Sequence, residues 1–123
     1  MPALETLHLL RVLADPAALD TARWSDHDAI LRTAPDEVLA IGAATVEVDD
    51  PDAIVVDDHG FVGAWLDIAV IEPHAEWPLP TERPALAQGL VAGVPAKVWF
   101  PDNGRALLLA AAPFAEELRS RLR

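Results

Sequence analysis

The sequence predicts an α+β fold: an antiparallel sheet of repeated hairpins with a C-terminal helix packed on one face. Two segments carry the same device, an apolar run, a turn built on Pro-Asp and a second apolar run. The first centres on Pro35-Asp36, between residues 29–33 and 38–42; the second centres on Pro101-Asp102, between Val94–Phe100 and a run that begins at Arg105. Pro35 presets φ for the second position of a type I turn and Asp36 tolerates the next, while Asn103-Gly104 adds a strong hairpin signal to the second turn. The third observation is the closing helix. Phe114, Leu118 and Leu122 recur every four residues and make one apolar stripe. Pro113 lies near the first helical position, Glu116 and Glu117 follow in the first turn, and Arg119, Arg121 and Arg123 crowd the end. That order of charges complements the helix dipole.

The remaining elements follow in chain order. Residues 6–14 are a short apolar run, open between strand and helix because so few residues show no period. Asp15 followed by Pro16 opens a helix, with Asp15 as N-cap and Pro16 at its first position, and this helix is expected to end near Trp24. Thr45, Val46 and Val48 make residues 43–50 a predicted strand. The turn Asp49-Asp50-Pro51-Asp52 separates it from a short strand, Ile54-Val55-Val56, after which Asp57-Asp58-His59-Gly60 turns the chain again. Residues 61–70 read as one strand with a bulge at Gly63. Pro73, Pro78, Pro80 and Pro84 forbid a regular helix over 71–84 and predict an extended loop. Ala85–Val91 stays open between a short helix and the start of a long strand, with Gly89 and Gly93 weakening the helix. In Val94–Phe100 the residues Val94, Ala96, Val98 and Phe100 share one face, Lys97 and Trp99 take the other, and Pro95 marks an edge or a strand start.

At 123 residues the chain is read as a single α+β domain, 1–123. With 52% hydrophobic and 24% charged residues it is composed like a folded globule rather than a disordered chain. There is no cysteine, which excludes disulfides, thiolate catalysis and Cys-based zinc sites and makes a cytoplasmic location the expectation. No apolar run reaches membrane-spanning length, and Met1-Pro2-Ala3-Leu4-Glu5 lacks the basic start of a signal peptide. A net charge of −11 repels phosphate backbones, so neither nucleic acid nor membrane is an expected partner.

Chemistry, if present, would gather at the histidines. His59 follows Asp57 and Asp58, His74 lies between Glu72 and Glu76, and His27 sits between Asp26 and Asp28. Such mixed sets bind zinc, manganese or iron, and His59, His74, Asp57 and Glu76 are the candidate metal ligands. None has the two-His helical spacing of a zinc protease. With 20 acidic residues in the chain, solvated turn residues are the simpler account. The acidic stretch from Glu47 to Asp58 lacks the glycine of an EF-hand loop and reads as a negatively charged rim, a docking surface for a basic partner. No nucleophile elbow, phosphate loop or dinucleotide fingerprint occurs, so no catalytic residue and no cofactor are assigned. The candidate interface residues are aromatic: Trp77 in its Pro-rich loop, and Trp65 and Trp99 on strands.

The order of these segments resembles the gamma subunit of heterotetrameric sarcosine oxidase, within the wider aminomethyltransferase (glycine cleavage T-protein) fold group. The resemblance rests on Ala34-Pro35-Asp36-Glu37-Val38-Leu39-Ala40-Ile41, on Val55-Val56-Asp57-Asp58-His59-Gly60, and on Ala87-Gln88-Gly89-Leu90 leading through 94–111 to the helix with Phe114. Asp58 stands where that family has a serine before His-Gly, and residues 43–50 and 67–80 are too short or too Pro-broken for the helices it carries there, so the chain looks like a trimmed relative. The resemblance implies a non-catalytic accessory subunit that works by protein–protein contact, with flavins and reaction sites on larger subunits. The expected partners are therefore larger enzyme subunits, of a flavin-dependent amine oxidase or a related one-carbon enzyme, or a second copy of the chain. Two other readings stay open: a free-standing small-molecule binding module with a pocket of Trp65, Trp99 and the Pro-rich loop, and a small His/carboxylate metal-dependent enzyme.

Overall fold

The computed structural model describes residues 3–122. In chain order the elements are β1 (Glu5–Thr6), β2 (Leu9–Leu13), α1 (Pro16–Asp20), β3 (Arg23–Trp24), β4 (Ala29–Ala34), β5 (Glu37–Ile41), β6 (Val46–Glu47), β7 (Ile54–Asp58), β8 (Phe61–Asp67), α2 (Ile68–Ile71), β9 (Ala85–Val91), β10 (Val94–Phe100), β11 (Arg105–Ala111) and α3 (Ala115–Arg121). The fold is α+β, built of antiparallel sheets with a C-terminal helix. The chain forms two compact units: Leu7–His59 is one, and the described parts of 1–6 and 60–123 make the other.

The larger unit holds a five-stranded sheet in the order β1-β8-β11-β10-β9. The Pro101-Asp102 device forms as predicted, with β10 and β11 paired around Val98 and Leu108. The alternation read from the sequence places Val94, Ala96, Val98 and Phe100 in the core with Val62, Leu66 and Leu108. Leu118 of α3 and Leu122, which caps the end of that helix, close that core, and Leu118 is fully buried. Burying each such side chain contributes about 1.5–3 kcal/mol, which holds a helix too short to persist alone. Arg121 also fastens the helix end by donating to the Ala92 carbonyl at 2.8 Å.

Ala85–Val91 is a strand, paired with β10 along its whole length. Ala92 and Gly93 link the two strands, and both take positive φ, 52° and 76°. That is the pattern of a two-residue hairpin turn matched to strand twist. The long strand expected over 61–70 stops at Asp67. Its apolar continuation coils into one helical turn, α2, which buries Ile71 completely. Over 71–84 the prolines leave only a 3-10 turn, Glu72–His74, and no regular helix beyond it.

The smaller unit has a four-stranded sheet, β4-β5-β2-β7, and a short β3-β6 ribbon. The Pro35-Asp36 device joins β4 to β5, with an irregularity in pairing between Arg32 and Ala34. Leu10, Val12, Val38 and Ala40 form one apolar face, capped by Leu19 of α1. α1 begins at Pro16 as predicted but ends at Asp20, because Arg23 and Trp24 turn extended to pair with Glu47 and Val46. Of the strand expected over 43–50, only Val46–Glu47 is in a ladder. Asp15 makes no side-chain cap. Its N–H instead donates to Asp50, whose carboxylate also accepts from the Asp52 N–H. These two bonds, the Asp15 one first, hold the Asp50 carboxyl below the ordinary aspartate range. Among the described residues no helix is long and apolar enough to cross a membrane.

Candidate interaction surface

Strand β7 lies at the edge of the smaller unit's sheet and, among the described residues, pairs only with β2. Its three apolar residues stand in the open: Ile54 is 54% exposed, Val55 46% and Val56 49%. Large apolar side chains exposed in a row on an unpaired edge are what folded proteins usually avoid.

Backbone direction on β7 follows from its neighbour. The His8 carbonyl accepts from the Gly42 N–H, and the Ala14 N–H donates to the Asp36 carbonyl, so the even-numbered residues of β2 face β5. The odd-numbered ones, Leu9, Arg11 and Leu13, then face Asp58, Val56 and Ile54. Val55 and Asp57 therefore direct their N–H and C=O away from the sheet. Among the described residues no hydrogen bond reaches those outward groups.

The edge is framed by charge. Asp49, Asp50 and Asp52 precede it, and Asp57 and Asp58 end it. Basic groups nearby are few. Arg11, opposite Val56, is held by Glu37 at 2.7 Å. His8 and His59 stack face to face with centroids 4.9 Å apart and planes 4° from parallel, and His8 Nε2 lies 3.7 Å from Asp57 Oδ1.

The residues singled out by sequence are distributed differently. Trp77 is half-buried and packs on the core of the larger unit, with its six-membered ring over Gly89. Its segment is tied along the outer side of β9: Ala75 bridges Val91, the Glu76 N–H donates to Leu90 O at 3.3 Å, and the Ala92 N–H donates to His74 O at 2.7 Å. Trp65 and Trp99 flank Leu107 in one cross-strand row on the opposite face of that sheet. The three tryptophans therefore do not line one pocket. His59 and Asp57 belong to the smaller unit, His74 and Glu76 to the larger. Among the described residues no group of three or more His, Cys, Asp or Glu is arranged to hold a metal ion.

The larger unit also carries an apolar groove of about 540 Å³, walled by Phe61, Leu90, Pro95, Ala111 and Phe114. Lys97, the only lysine in the chain, lines it and donates to Gln88 Oε1 at 3.0 Å.

No family model, curated protein or solved structure matches the chain.

The edge escaped sequence reading because Ile54-Val55-Val56 looks like any core strand. Strand order is a non-local property that three apolar residues do not encode. The one available signal was the aspartates on both sides, which keep such a run near solvent.

Proposed function

We propose that this chain is a non-catalytic accessory subunit that works by protein–protein contact, docking on a larger flavin-dependent amine oxidase or related one-carbon enzyme. The observation that carries the contact role is β7, where exposed apolar side chains meet an unpaired sheet edge. The class of partner rests on the resemblance of residues 34–41, 55–60 and 87–114 to the gamma subunit of sarcosine oxidase. All three segments contribute to the sheets described above, and the middle one includes most of β7. Trp77, half-buried over Gly89, contributes to the fold of its own unit, which moves the expected contact from the Pro-rich loop to β7.

The test is co-purification of the tagged chain from native extract, followed by size-exclusion chromatography with flavin absorbance recorded. Co-elution of an identified flavoprotein, lost with Val56→Asp, supports the reading. A chain that elutes alone at every salt concentration, with no flavin in its fraction, overturns it.

A second reading has its own observation. The Lys97 groove offers an apolar wall and one ammonium group, the complement of a small carboxylate with an apolar body. Calorimetric titration with aromatic and short fatty acids, repeated on Lys97→Met, decides it: saturable binding that the variant loses supports a binding module.

A further inference from the structure

We infer that β7 accepts an extended, basic segment of a partner protein as an additional antiparallel strand. This rests on the contact role proposed above and names the chemistry of what binds there.

The backbone comes first. Val55 and Asp57 each present one donor and one acceptor outward, on alternate residues, which is the spacing an incoming strand uses. Side chains follow. Ile54 and Val56 lie on one face of the sheet and Val55 on the other, so apolar residues of an added strand gain neighbours on both faces. Those neighbours are already half-exposed, so no rearrangement is needed to reach them.

Charge selects the occupant. Asp57 and Asp58 end the strand, and Asp49, Asp50 and Asp52 lie before its start. The basic side chains on adjoining elements are Arg11, already paired with Glu37, and the stacked His8 and His59. An incoming strand with lysine or arginine near each end therefore meets carboxylates at both ends. The same field argues against a second copy of the chain. Antiparallel pairing of two β7 strands about Val56 sets Asp57 of each copy opposite Val55 of the other and brings the flanking aspartates of the two copies together. Each copy also carries a net charge of −11. The other sheet shows a contrasting arrangement, since the outer side of β9 already carries the 74–77 segment.

The experiment uses the full chain and a fluorescent, end-capped peptide of alternating valine and lysine, with a valine–glutamate peptide of equal length as control. Anisotropy titrations are expected to show saturable binding of the lysine peptide, weakening as salt rises, and at least tenfold weaker binding of the glutamate peptide. Val55→Pro removes an outward N–H without taking a bond from the β2 ladder, so it should cut binding at least tenfold while the thermal melt stays close to that of the parent. Amide hydrogen exchange gives a readout that needs no variant: the lysine peptide should protect the amides of Val55 and Asp57. Equal binding of both peptides overturns the inference, as does exchange at Val55 and Asp57 unchanged by saturating peptide. Protection of those amides that grows with protein concentration alone would assign the edge to a second copy and equally overturn it. Loss of the flavoprotein with Val56→Asp but its retention with Val55→Pro would reject strand addition and leave the contact role standing. Peptide binding with no flavoprotein in the extract would reject the flavoprotein as partner and leave strand addition standing.

Discussion

Replacing Gly89 by alanine should destabilise the protein in one background and stabilise it in another. Gly89 takes no positive φ and sits inside β9, where a glycine ordinarily costs about 0.5–1 kcal/mol relative to alanine. A Cβ at this position, however, would meet Trp77 at 3.0 Å from Cζ3, 3.1 Å from Cη2 and 3.2 Å from Cε3. The indole cannot easily yield, because the preceding residues are bonded to Leu90 and Ala92 and Pro78 follows. Overpacking of this kind costs about 1–3 kcal/mol, so Gly89→Ala should lose about 1 kcal/mol net. Trp77→Ala alone should lose about 2 kcal/mol, roughly half the area of a fully buried indole. In that second background the collision is gone, and Gly89→Ala should gain about 0.5–1 kcal/mol. The coupling between the two positions is then about 2 kcal/mol, within the range for residues in contact. Urea unfolding of the four proteins, followed by far-ultraviolet circular dichroism, measures each term. Additivity within about 0.5 kcal/mol would show that the indole does not lie over Gly89 and would refute the reasoning.

Leu118→Ala removes the fully buried contact of α3 and should cost about 2–5 kcal/mol in the same assay; a loss below about 1 kcal/mol would show that α3 does not close the core. Ala92→Asn should raise stability by about 0.5–1 kcal/mol, because a residue with a Cβ at φ 52° is strained and asparagine followed by Gly93 suits this turn better. An unchanged melting temperature would argue against the left-handed geometry. Asp50→Ala tests the carboxylate shared by Asp15 and Asp52. The folded state lowers the pKa of Asp50, so its stabilising effect is present above the ordinary aspartate value of 3.8 and lost as pH falls through the lower folded value. The stability gap between parent and variant should therefore be constant near neutrality and shrink in acid below 3.8, and a gap independent of pH would contradict the two hydrogen bonds.

Local chemistry was the legible part of this sequence. Pro35-Asp36 and Pro101-Asp102 announce their hairpins because proline and aspartate act over four residues, and α3 announces itself through its Phe114–Leu118–Leu122 stripe and charge order. What failed was set by distant partners. Residues 43–50 have strand propensity, yet only Val46 and Glu47 find a neighbour, in β3. Residues 61–70 are apolar apart from Asp67, yet β11 pairs only as far as that residue, and the rest turns helical. Ala85–Val91 by itself leaves helix and strand open, and seven pairs with β10 decide for the strand. For the candidate surface the lesson is the same: composition identified the acidic rim, but only the strand order places Ile54, Val55 and Val56 at an open margin.

That margin has a practical meaning for anyone handling the molecule. The aspartates around β7 act as gatekeepers, keeping a sticky, β-prone triplet from templating fibres. Close to the isoelectric point of about 4.5 the molecule's overall charge vanishes, and with it the long-range repulsion between copies. Acidic storage buffers and concentrated salt are thus the conditions under which copies should begin to stack edge to edge.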